Sequence, residues 1–165
     1  MSYYRMIEAD YALVGLKSEI APVGRRVSDS LRREGLRVGC ITLGAAAAIV
    51  PEVVEFLAQV RAVGVVEPRG AECGIGPRLI GILRQAAQGP DWPFPGRAPR
   101  VYSALLSPDC SAIREEHLVA LVRAMHAYGP NQFVLHRHGA VVETEDRHAT
   151  PTGKTAHPPR LIAVA

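Results

Sequence analysis

The chain has 165 residues, 48% hydrophobic and 21% charged, with a net charge of +3. That length and balance suit one globular domain with a full core, and the weak, dispersed positive charge argues against a nucleic-acid partner. No apolar stretch approaches the roughly 18 residues that cross a bilayer, and no basic segment followed by an apolar core opens the sequence, so a cytoplasmic location is expected.

Aromatic residues make up 5% of the chain, so the core is expected to be Val, Leu, Ile and Ala. Asp10 to Lys17 (DYALVGLK) reads as a buried strand. Ser18 is placed to cap the helix that follows, with Glu19 at its positive end and Pro22 in its first turn. That helix puts Val23, Val27 and Leu31 on one face and arginines on the other, and Gly35 ends it. Leu36 to Leu43 is a second strand. Gly44 and the alanines after it read as either a helix or a packed loop. Pro51 then opens a short helix (PEVVEFLAQV) with Val53, Val54 and Leu57 as its stripe.

Ala62 to Glu67 is the third strand. It runs into a turn containing Gly70, Gly74 and Gly76, then a helix from Pro77 to Ala87 with Leu79, Ile80 and Leu83 inward. Gly89 to Pro99 is a proline-rich loop. Arg100 to Leu106 is the fourth strand, and Ser111 is a candidate cap for a helix running to Tyr128 with a Leu118, Leu121, Val122 and Met125 stripe. Beyond Gly129, Gln132 to His136 and Ala140 to Glu143 read as a hairpin, an edge strand, or both. Asp146 to Pro159 is polar and Pro-containing and reads as a flexible or surface segment, and Leu161 to Val164 is a candidate last strand. Strands alternating with helices imply a mostly parallel sheet in a three-layer α/β/α sandwich. Residues 1–130 form its domain and 131–165 a C-terminal extension.

The glycine turn invites a phosphate-binding reading, which its chemistry resists. The spacing of Gly70, Gly74 and Gly76 does not match G-x-G-x-x-G, the Lys-Ser/Thr of a P-loop is missing, and Pro77 has no amide to offer. These glycines, with Glu67 before them, are better read as a structural turn or an interface. Arg25, Arg26, Arg32 and Arg33 cluster on one segment, where a solvated helix face outweighs a phosphate patch. His136 and His138 form an H-x-H pair that suits a metal only with a third ligand from His148, Glu143 or elsewhere. Cys40, Cys73 and Cys110 are too few and too scattered for a disulfide framework or, alone, an iron–sulfur cluster. Cys73 in the glycine turn is a weak candidate for a reactive thiol. No G-x-S-x-G elbow is present, and the acidic positions of a receiver-like switch are missing.

The order of elements resembles the C-terminal domain of the transketolase superfamily, above all domain II of pyruvate (2-oxoacid):ferredoxin oxidoreductases. Four stretches carry the likeness: ADYALVGLKSEIAPVGRRVSDSLRREGLRVGCITL, PEVVEFLAQVRAVGVVEPRG, CGIGPRLIGIL and RVYSALLSPDCSAIREEHLVALV. They cover residues 9 to 128 and no single motif is diagnostic. The alanine-rich Gly44 to Val50, the loop Leu106 to Cys110 and the tail after Gly129 depart from the family. The resemblance implies a sandwich with about four parallel strands and an antiparallel edge. It implies a separately encoded structural or assembly subunit of a thiamine diphosphate-dependent 2-oxoacid oxidoreductase. Thiamine diphosphate and the iron–sulfur clusters are then expected in partner subunits and not on this chain, and no catalytic residue carries over. The alternative is a free-standing binding module, with an anion at the Gly70 to Gly76 turn or a metal at His136 and His138.

Overall fold

Apolar runs of six or seven residues, bounded by charge or glycine, are short for a buried helix and long enough for a strand between two layers. Four such runs form β2 (Tyr11–Leu16), β3 (Val38–Leu43), β4 (Ala62–Pro68) and β5 (Arg100–Leu106). The computed structural model describes residues 1–44, 51–68, 79–89, 92, 94, 96, 98–106, 112–127, 132–136, 139–143 and 160–162, the last three segments as backbone only. A fifth parallel strand, β6 (Gln132–His136), pairs with β5, giving the parallel order β3-β2-β4-β5-β6.

Antiparallel strands extend both sides. β1 (Ser2–Tyr4) lies against β3, while β7 (Gly139–Glu143) folds back on β6 and β8 (Arg160–Ile162) on β7. The sequence implied about four parallel strands; the sheet has five. The segment Gln132 to His136 is both an inner strand and half of a hairpin. The last strand begins at Arg160, one residue before the expected start.

The helices are α1 (Lys17–Arg33), α2 (Pro51–Leu57), α3 (Leu79–Gln88) and α4 (Glu115–Ala127). Their apolar stripes sort them into two layers. Ile20, Val23, Val27 and Leu31 of α1 share one core with Leu118, Leu121, Val122 and Met125 of α4, over Leu13, Cys40 and Tyr102 of the sheet. Val53 and Leu57 of α2 share the other with Leu79, Ile80 and Leu83 of α3, over Val14, Ile41 and Val63. Alternate strand residues feed opposite cores, as a pleat with period two requires.

Helix ends follow local chemistry. Gly35 takes a φ of 90° after α1. Its amide donates to the Arg32 carbonyl and the Leu36 amide to that of Leu31, the paired bonds of a Schellman cap. At the other end α1 begins at Lys17, two residues before the Glu19 start that a Ser18 cap implies, so Pro22 falls in the second turn. α2 stops at Leu57 instead of Val60, and Val54, though half-buried, packs against the core its stripe faces. α4 starts at Glu115, four residues after Ser111, which lies outside the described residues. There the buried His117 ring accepts the Arg114 amide on Nδ1 at 3.2 Å. This is the back-bond of a capping box, made by His where Glu or Gln is usual.

Crossover geometry separates the tail from the body. The chain moves from β3 to β4, and from β4 to β5, with its helix on the α2–α3 face. From β5 to β6 it continues in the same direction but with α4 on the opposite face. That connection therefore has the reverse hand of the others. Parallel crossovers are almost always right-handed, so β6–β8 join the sheet by an uncommon route.

Candidate functional site at the carboxyl edge

Strand order locates the place where such a sheet binds or docks. From β2 the chain goes to β3 on one side and later to β4 on the other, with α1 and α2 leaving on opposite faces. Ligands of open α/β sheets collect in the crevice at the carboxyl ends of two strands so divided. Here that crevice lies at the ends of β2 and β4, where Gly15 pairs with Val66. The Gly70, Gly74 and Gly76 turn expected after β4 lies outside the described residues, as does Cys73.

Glu67 is the described acid at this edge, one residue from the end of β4 and 8% exposed. Its Oε1 accepts the backbone amide of Leu79, the first described residue of α3, at 2.5 Å. A carboxylate suits this position, because the first amides of a helix lack intrahelical partners and carry the positive end of its dipole. Glu67 thus ties the end of a strand to the start of the next helix across the twelve-residue separation between them. The same contact bears on an anion at this turn. The Leu79 amide is already taken by the Glu67 side chain.

Gly15 tightens the other wall. A Cβ there would sit 3.1 Å from the Val66 carbonyl oxygen and 3.2 Å from Ile20 Cγ2. The glycine lets the first turn of α1 press onto the β2–β4 pair. The result is a closely packed edge in which the described groups serve packing and capping.

The other sequence candidates fall elsewhere. All four α1 arginines have structural contacts. Arg25 lies 5.3 Å above the Tyr4 ring, Arg26 pairs with Glu115, and Arg33 reaches the Asp29 carbonyl. Arg32 donates to the carbonyls of Val38, Arg5 and Ile7. Arg25, Arg26 and Arg33 are exposed and Arg32 is half-buried, so the cluster is largely the solvated helix face that its spacing implied. Cys40 is buried in the α1–α4 core, and burial pushes its thiol up to about 11. It is unsuited to metal or thiol chemistry while the fold is closed. Cys110, His138 and the His136 ring lie outside the described residues. Among the described residues, no three His, Cys, Asp or Glu side chains group to hold a metal ion. An iron–sulfur cluster needs several thiolates, and with Cys40 in the core the chain's cysteines do not fit one. No described helix is long and apolar enough to cross a membrane.

No protein-family model matches the chain, and no curated protein matches its sequence.

Several contacts at the opposite, amino edge had no sequence signal. Asp10 accepts from Arg37 Nε at 2.8 Å and Nη2 at 3.0 Å, and pairs with Arg61 at 3.2 Å, tying the starts of β2, β3 and β4. The Arg37 hydrogen bond, opposed by partial desolvation and aided by the Arg61 charge, holds the Asp10 carboxyl below its usual range. Tyr4 and Arg5 both donate to Asp29 at 2.7 Å.

Proposed function

We propose that this chain is a separately encoded structural or assembly subunit of a thiamine diphosphate-dependent 2-oxoacid:ferredoxin oxidoreductase, with a fold of the transketolase C-terminal type. The observation that supports this most is the Glu67 junction. In the reading by resemblance, a third strand ends in an acid and leads through a glycine turn to a helix. Here that acid is buried and accepts the first described amide of that helix. Parallel strands bordered by the antiparallel β1 fit the same type. The reversed crossover into β6 fits a body near residue 130 with an appended extension.

In this reading the cofactors belong to partners. Thiamine diphosphate would supply the decarboxylation chemistry there, and this chain's residues hold a surface for those subunits. The test is omission. The complex recovered with this chain is rebuilt without it, and 2-oxoacid-dependent reduction of a viologen dye is followed. Loss of assembled mass and of activity together supports the reading. Full activity and mass without the chain overturn it.

A further inference from the structure

The amino edge carries a turn that exposes an apolar side chain at evident conformational cost. Arg5 and Glu8 take left-handed φ values of 50° and 59°, a region unfavourable for residues with a Cβ. Such strain persists only where the surroundings over-determine it. They do so here. Met6 is buried against Gly39, where a Cβ would meet its sulfur at 2.5 Å. The Arg32 guanidinium donates to the carbonyls of Arg5 and Ile7 at 2.7 and 3.3 Å, and Arg5 itself is pinned to Asp29. Between these anchors Ile7 stands 78% exposed; Met1 is the other large exposed hydrophobe among the described residues. A side chain fixed in this way loses little entropy on binding.

The same edge carries a receptor for it. An open groove of 480 Å³ is lined by Ala58, Gln59, Val60, Arg61, Gly96 and Ala98. Strand order places Ile7 at the β3 start and the groove at the β4 and β5 starts, with Asp10 of β2 between them. Met6 beneath the turn and Ala58 and Val60 of the groove belong to one core, while Arg32 and Asp29 of α1 hold the turn from the other layer, so the two features share the edge. Charges match as well: exposed Glu8 flanks Ile7, and Arg61 of the groove, whose Nε pairs with Asp10, is still 69% exposed.

We propose that the occupant is a second copy of this chain. A two-fold axis near Asp10 sets each Ile7 in the other copy's groove, with Glu8 facing Arg61 across the contact. Knob and groove on one edge of one molecule satisfy the self-complementarity that an isologous dimer requires. This association is independent of any partner that holds a cofactor.

The test uses the full chain alone, by sedimentation equilibrium. The expected mass is twice 17.8 kDa. Ile7→Asp removes the knob, and Gln59→Trp fills the groove from an exposed position. Each is expected to weaken dimerisation by about tenfold or more, with the thermal unfolding of the monomer unchanged. Mixing the two variants is the sharper readout, because the mixed dimer keeps one intact contact, the Ile7 of the Gln59→Trp copy in the groove of the Ile7→Asp copy. Recovery of dimer on mixing supports the proposal. A wild-type monomer at high concentration, or dimers untouched by either variant, overturns it.

Discussion

Glu67 Oε1 sits 2.5 Å from the Leu79 amide, and the residue is 8% exposed. A buried carboxylate thereby holds a strand end and a helix start in one arrangement. Because both partners are out of water, leaving the amide unpaired costs more than the bond's own net worth. Glu67→Ala leaves the amide without its acceptor and is expected to cost about 1–3 kcal/mol. Glu67→Gln keeps a carbonyl oxygen in place and should cost clearly less. Urea unfolding of the three proteins checks the order; equal losses for Ala and Gln would remove the acceptor role.

Gly24 and Cys40 form a size pair between α1 and β3. A Cβ at Gly24 would lie 2.6 Å from the Cys40 sulfur. Alanine normally favours a helix interior over glycine by about 1 kcal/mol. Here overpacking of about 1–3 kcal/mol outweighs that gain, so Gly24→Ala is expected to destabilise. In a Cys40→Ala background the main obstacle is gone, Ile20 Cγ1 at 3.3 Å can give by a few tenths of an ångström, and the same change should stabilise. A double-mutant cycle measures the reversal of sign.

Burial makes Cys40 a reporter of pH. Its thiol rises from 9.0 to about 11 in the folded protein. The unfolded chain therefore ionises first. The contribution is fully present below pH 9.0 and is lost as pH climbs toward 11. Over that window the wild type should lose stability relative to Cys40→Ala, and the difference should be flat at neutral pH. Thermal melts of both proteins between pH 7 and 11 give the comparison.

Asp10 behaves in the opposite sense. Hydrogen bonding to Arg37, with help from the Arg61 charge, keeps its folded carboxyl below 3.8. Its contribution is present above that value and is lost as pH falls through the depressed folded one. Asp10 is 21% exposed, so solvent screening is partial and Asp10→Asn is expected to cost about 1 kcal/mol at neutral pH. Acid titration should show the wild type converging on the variant as the carboxyl protonates.

The parallel core was legible because its signals are local. Apolar runs such as Ala62 to Val66 and stripes such as Leu118, Leu121, Val122 and Met125 carry their burial in their spacing. β1 was not, because Ser2–Tyr4 is three residues long and exists through its pairing with Thr42, Ile41 and Cys40. Helix starts were misplaced for a similar reason. Ser111 looks like a cap by residue type, while the bond at α4 comes from His117, whose side chain reaches back only once buried. Arg32 showed in the sequence as a charge on a helix face, and two of the three backbone carbonyls it holds, those of Arg5 and Ile7, belong to a segment more than twenty residues away. At the candidate site, Glu67 could be picked out as an acid ending a strand. Its bond to Leu79 needed the helix to be placed.

The central claim is that this chain works among cofactor-bearing partners, and one measurement meets it directly. The protein is isolated from its own cells at native abundance, and the eluate is assayed for thiamine diphosphate, acid-labile sulfide and the identity of co-eluting proteins. The expected result is both cofactors together with thiamine- and cluster-binding subunits in fixed ratio to this chain. Elution of the chain without either cofactor, whether as a monomer or with its own copies only, would contradict the account.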